Sequence, residues 1–233
     1  MDPCQTAAMS RPRALPVDRG VLVGIATTFL ALGISVNVVV LERVGSPLRT
    51  FVAAIVVNAA TTELAYLAVR DAGGSIVAAL IAGWVVASRF GLLAAGLGAR
   101  ANIGTVHRAA AALQSFDPNV GLAIQQRDSA TVMSVFWRVT LAMHLGWWTG
   151  TGIGVLLGNA LGDTQRLGLD VVFPAAMLAI IANLLRERSG AAAAALGAIF
   201  CLALLPVAPA GVPIVVSVLG AVVALAIPQG STP

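Results

Sequence analysis

Lysine is absent from the 233 residues, and charged side chains make up only 10% of the chain. A soluble domain carries about 25% charged and about 45–50% apolar residues. Here the hydrophobic share is 58% and the mean hydropathy +0.92. Folded in water, such a chain would show apolar side chains over most of its surface. That excludes a cytosolic enzyme and points to a polytopic membrane protein. Cysteine is scarce too: Cys4 stands in a polar tail and Cys201 in an apolar run, and they form neither a metal spacing nor a disulfide framework. The net charge of +4 comes from arginine alone. No basic run interleaves with aromatics, so nucleic acid is not an expected partner. Arginines in short loops set membrane orientation instead. The sequence also lacks a P-loop, a His-Glu-x-x-His helix, a Gly-x-Ser-x-Gly elbow and a Cys-x-x-Cys pair. With His107 and His144 the only histidines, no nucleophile with a base is visible, and neither acidic rings nor a filter loop suggests a channel. The expectation is a non-enzyme with no cofactor and no metal.

What is present is a series of long apolar runs. Residues 1–20 read as a polar tail, 21–228 as a single transmembrane helical domain, and 229–233 as a short C-terminal tail. Val21–Leu41 is too long for a signal-peptide core, which runs about 7–15 residues, and reads as the first span. Ser46 and Pro47 look like an N-cap with proline at the first helical position, opening a second span to Val69. A third runs from Ser75 to Leu97. The region 98–131 carries scattered charges, and its middle, Ala109–Leu113, is too short to cross; it reads as an amphipathic or re-entrant segment. A fourth span runs from Val132 toward Leu157, a fifth over Val171–Leu185 up to the Arg186-Glu187-Arg188 cluster. The last two cover Ala191–Leu205 and Val212–Ile227. The fold class is therefore all-α, with about seven transmembrane helices at about 20 residues per crossing. Helices follow because lipid offers an open backbone no partner and the runs lack the alternation of a barrel.

Two patterns carry chemistry. Glycine recurs at every fourth position, at Gly146, Gly150, Gly154, Gly158 and Gly162. On a helix this makes a shallow groove, either for ordinary tight packing, for a separate small membrane subunit, or for a sliding surface. Trp147 and Trp148 inside this stretch read as interfacial anchors if the span breaks near Gly146, or as packing residues if it is continuous. The second pattern is ionisable groups in apolar runs, which cost about 2.5–3.5 kcal/mol each near mid-membrane and so face a partner or a wet cavity. Glu63 and Arg89 lie about 9 Å and 12 Å inside their spans at helical rise. They could neutralise each other as an interhelical pair. They could instead take the ammonium and carboxylate of a zwitterionic solute, with a proton carried on the acid. His144 reads as a packing histidine or a proton carrier. Arg138 and Asp170 stand near span ends, where snorkelling or helix-dipole complementation accounts for them. A small-solute carrier is the default reading; a non-transporting scaffold subunit and a passive channel are its rivals.

From Trp147 onward the residues follow a familiar order. Trp148-Thr149-Gly150-Thr151-Gly152-Ile153-Gly154 leads through Leu157-Gly158 to Leu167-Gly168-Leu169-Asp170 and then Phe173-Pro174-Ala175. This resembles the AzlC-type branched-chain amino-acid permease family, whose members carry Leu-Gly-Leu-Asp-Phe-x-x-Pro-Ala after a glycine-rich span. In the first half the family's Tyr-Ala-Gly-x-Ala-Gln stretch stands as Asn58-Ala59-Ala60-Thr61-Thr62-Glu63, an acid in place of the amide. Its Asn-Leu-Arg stretch stands as Ala87-Ser88-Arg89, and its Thr-Asp-Glu stretch as Phe116-Asp117-Pro118. The resemblance implies proton-driven export of leucine, isoleucine and valine, and of methionine, across the bacterial plasma membrane. It implies a small AzlD-like membrane subunit as partner, besides membrane lipid. The candidate substrate or coupling residues are Glu63, Arg89, Asp117, His144 and Asp170.

Overall fold

The computed structural model describes residues 17–161, 184–209 and 212–224, together with Ala175, Leu178 and Ala182. Among these, all regular structure is helical. Nine α-helices follow one another: α1 (Arg19–Val44), α2 (Pro47–Val57), α3 (Ala60–Asp71), α4 (Ile76–Arg100), α5 (Thr105–Leu113), α6 (Asp117–Ala123), α7 (Ser129–Leu161), α8 (Arg188–Leu204) and α9 (Val212–Ala224). A short 3-10 turn, Leu184–Arg186, precedes α8. The expected fifth span, Val171–Leu185, lies mostly outside the described residues.

Local chemistry sets the helix ends. The Asp18 carboxylate accepts from the amide of Val21 at 2.9 Å and opens α1. Inside α1 the hydroxyls of Thr27 and Thr28 donate back to carbonyls of the preceding turn, so neither presents an unmet polar group to an apolar surrounding. Ser46 accepts from Arg49 N with Pro47 in the first turn, as its sequence suggests. Ser75 Oγ accepts from Ala78 N at 3.1 Å and opens α4. Gly45, with φ of +67°, supplies the left-handed residue that ends α1.

The second span differs from its expectation. It is not continuous to Val69 but breaks at Asn58 and Ala59 into α2 and α3. Asn58 sits in the left-handed region with φ of 49° and Ala59 is extended; asparagine is one of the few non-glycine residues that tolerate this conformation. The amide of Asn58 still bonds back to the Ala54 carbonyl at 3.2 Å, closing α2 as an αL cap does. Laid end to end, the two halves would measure about 35 Å at helical rise.

The chain divides into two compact units, which share α1, α4 and α7 between them. The first holds residues 17–29 and 89–146 of those described, the second residues 30–88 and everything described from Trp147 on. The core of the first is Leu97, Val120, Val132, Val135, Phe136, Val139 and Met143, with Leu22, Ile25 and Phe29 of α1 packed against it. The region 98–131, expected as amphipathic or re-entrant, forms α5 and α6 of this unit. In the second unit, Val69 of α3 packs with Ala79 and Ala82 of α4, joined by Tyr66 and Ile214. Helices α8 and α9 approach closely through Gly197 and Gly220: a Cβ at Gly220 would lie 2.7 Å from the Gly197 Cα.

The surface is that of a protein that meets lipid. Helices α1 and α4, of 26 and 25 residues, are long and apolar enough to cross a membrane. Trp84 is 81% exposed, Leu92 78% and Leu156 75%. Helix α7, at 33 residues, is about 50 Å long at helical rise. That exceeds a hydrocarbon core of about 30 Å.

Candidate functional site

Three arrangements gather the polar groups of these helices, and the glycine stripe frames the first. Gly150, Gly154 and Gly158 of α7 lie against α1. A Cβ at Gly150 would overlap the carbonyl oxygen of Leu30; at Gly154 it would stand 2.7 Å from the Ile34 carbonyl oxygen, and at Gly158 2.8 Å from Leu41 Cδ2. Gly33 of α1 answers from the other side, its added Cβ falling 2.7 Å from the Trp147 carbonyl oxygen. Of the alternatives for the groove, the structure shows tight packing within the chain at these three positions. Gly146 is buried, while Gly162 lies outside the described residues. The close backbone approach lets Asn37, fully buried, donate to Thr151 Oγ1 at 3.0 Å and to the Gly33 carbonyl at 2.9 Å. Trp147 is a packing residue: it is buried, and its indole N–H donates to the Ala54 carbonyl of α2 at 3.0 Å. Trp148, one position on, turns outward with 43% exposure.

The second arrangement is the break between α2 and α3. Glu63 stands in the first turn of α3 and is only 7% exposed. Neither of its carboxylate oxygens has a hydrogen-bond partner among the described residues, and the Thr62 hydroxyl beside it is also without one. The helix opens at Ala59, which supplies no side-chain cap. A carboxyl group that costs several kcal/mol to bury unpaired therefore stands with its lone pairs unused.

The third arrangement lies in the other unit, where Arg89 of α4 meets Asp117 at the start of α6. Their closest atoms, Nη2 and Oδ2, are 3.4 Å apart, with 43% and 51% of the side chains exposed. Arg89 also lies over the Phe90 ring at 4.9 Å. Phe90 packs edge-to-face on Phe116 at 5.1 Å, and Phe116 on His144 at 6.3 Å, so an aromatic wall stands beside the ion pair. His144 Nδ1 lies 2.7 Å from the Thr140 carbonyl; since a carbonyl only accepts, that nitrogen carries the hydrogen. Asn119 holds α6 in place: its Oδ1 accepts from Phe116 N at 2.8 Å, and its Nδ2 donates to the Gln114 carbonyl at 2.6 Å and to Thr140 Oγ1 at 2.8 Å.

Of the candidates read from sequence, Arg89, Asp117 and His144 share one unit and Glu63 belongs to the other, while Asp170 lies outside the described residues. Arg138 is exposed on α7. Sequence reasoning missed Asn37, Asn119, Thr140 and Thr151. Asn37 had a signal, a lone amide inside an apolar run. Asn119 had another, since Asp117-Pro118-Asn119 is a helix-opening tripeptide. Among the described residues no group of three or more His, Cys, Asp or Glu side chains is placed to hold a metal ion.

No curated protein and no solved structure matches this chain. A family model described as "AzlC protein" matches residues 24–161. That stretch includes the α2–α3 break, the Arg89–Asp117 pair and the described part of the glycine stripe. This membrane protein, helical in all the regular structure of its described residues, belongs to the AzlC family, a family of membrane transporters.

Proposed function

We propose that this chain is the large subunit of a two-component exporter of branched-chain amino acids, crossing the bacterial plasma membrane about seven times and driven by the proton gradient. Family membership supports transport; the solute, the direction, the proton and the small AzlD-like partner are the proposal. The observation that carries the mechanism is the Arg89–Asp117 pair, whose Nη2 and Oδ2 stand 3.4 Å apart with both side chains half exposed. A guanidinium in a long, half-exposed ion pair can exchange one carboxylate for another, because its fork offers five donors. In this mechanism the carboxylate of the amino acid displaces Asp117 from Arg89. Asp117, released from its cation, then carries the coupling proton, and His144 across Phe116 is the next proton-carrying group. Branched apolar side chains find their complement in the Phe90–Phe116 wall.

The test is efflux from cells loaded with leucine- or valine-containing dipeptides, with this chain expressed alone and together with the small membrane protein encoded beside it. Faster efflux from the pair, abolished by a proton ionophore and by Arg89→Ala, is the expected result. Undiminished efflux in Arg89→Ala would remove Arg89 from the mechanism. No efflux under any condition, with the protein present in the membrane, would reject the exporter.

A further inference from the structure

We propose that the break between α2 and α3 is a binding site for a primary ammonium group, with Glu63 as its counter-charge. The proposal rests on the reading of the solute as an amino acid only in its choice of probes. Side chains on a helix tilt toward its N-terminus, so Glu63, in the first turn of α3, points back at the break. There it is more than nine-tenths buried, with both oxygens unpartnered among the described residues.

The bland alternative is an acid that complements the positive end of α3. Such an acid would accept from the amides of its own first turn. Glu63 does not: its oxygens accept nothing, and the amides of Thr62 and Glu63 bond to the Ala59 carbonyl instead. The other side of the break also favours a cation. Helix α2 ends there, and the last carbonyls of a helix lack intrahelical partners and carry its negative end. That end is held firmly, because the Ala54 carbonyl receives both the Asn58 amide and the Trp147 indole, at 3.2 Å and 3.0 Å.

The number of acceptors selects among cations. The two Glu63 carboxylate oxygens are both without partners, and so is the Thr62 hydroxyl at the position before it. A proton would give one carboxylate oxygen a hydrogen and leave the other without a donor. An ammonium group brings three N–H donors. The geometry therefore points to an amine-bearing solute.

The probes are 3-methylbutylamine, which is leucine without its carboxylate, and 4-methylpentanoate, which is leucine without its ammonium. Each is titrated into the purified full-length protein by calorimetry, beside leucine and beside sodium chloride. Wild type should bind 3-methylbutylamine, and Glu63→Gln should weaken that binding at least tenfold, equivalent to about 1.4 kcal/mol. Binding of 4-methylpentanoate should not change with the substitution. An unfolding midpoint for Glu63→Gln no lower than wild type shows that the variant is folded, and Thr62→Val provides a second, milder loss. Equal amine binding in wild type and Glu63→Gln would overturn the site. So would a Glu63-dependent response to sodium chloride or to acid with none to the amine, which would make it an ion or proton site. Amine binding that depends on Glu63 in a protein that exports no leucine would leave the site standing and reject the exporter.

Discussion

Gly150 and Gly152 are two residues apart on one helix and do opposite things. Gly150 lies under Leu30 and Gly33 of α1, where an added methyl would overlap backbone that cannot rotate away; Gly152 has nothing within 4 Å of its added Cβ. Gly150→Ala should therefore destabilise the protein by about 1–3 kcal/mol, the cost of overpacking a close interface. Gly152→Ala should stabilise it by about 0.5–1 kcal/mol, the helix propensity regained when glycine is replaced in a helix interior. Unfolding midpoints in one detergent measure both, and equal effects of the two substitutions would contradict the packing of α7 on α1. The stripe itself was plain in the sequence, because a repeat of four is a helix face whatever it meets. Its occupant was not. That α1 fills it depends on Gly33, whose match to Gly150 is a fact of register between segments more than 100 positions apart in sequence.

Helix α7 shows how one exposed side chain conditions an element. Asp128 precedes it and accepts from the amide of Thr131 at 2.9 Å. That backbone bond, and next a bond from the Thr131 side chain, hold the Asp128 carboxyl below the ordinary carboxylate range. A group whose value is depressed on folding contributes stability above its unfolded value and loses it as the pH falls through the lowered one. The opening turn of α7 should thus be firm at neutral pH and loosen in acid. Hydrogen exchange over residues 128–132, corrected for intrinsic rates, should show protection that declines on acidification in wild type. In Asp128→Asn, whose amide oxygen accepts at any pH, it should stay level. A wild-type profile parallel to the variant's would exclude this cap. At the same scale, α1, α4 and α7 were legible as long apolar runs, and Ser46-Pro47 announced α2. The break before α3 was not legible, because nothing in Ala53–Val69 departs from helix-forming composition strongly enough. Asn58 alone takes the left-handed φ, and asparagine in a span also reads as a packing amide.

For the whole molecule, composition sufficed to read a helical membrane protein, since 58% hydrophobic residues leave no other place for the surface to go. The grouping of charges did not follow from it. Arg89 and Asp117 meet only because α5 and α6 fold beside α4, and the scattered charges of 98–131 conceal two helices of only nine and seven residues. The same uncertainty of path bears on how often the chain crosses. Seven crossings place the two termini on opposite sides of the membrane, provided α2 and α3 together pass through once. If the chain instead turns back at Asn58, that span becomes a re-entrant pair and an even number of crossings remains. Reporters that are active on one side only, fused before residue 17 and after residue 233 of the full chain, separate these cases. Opposite readings are expected, because two halves of about 17 and 18 Å at helical rise are each too short to span the apolar layer but together match it. Termini on the same side would mean that the break is a turn within the membrane. Glu63 would then sit at the tip of a hairpin entered from one face, and the path taken by any solute bound there would have to return to that face.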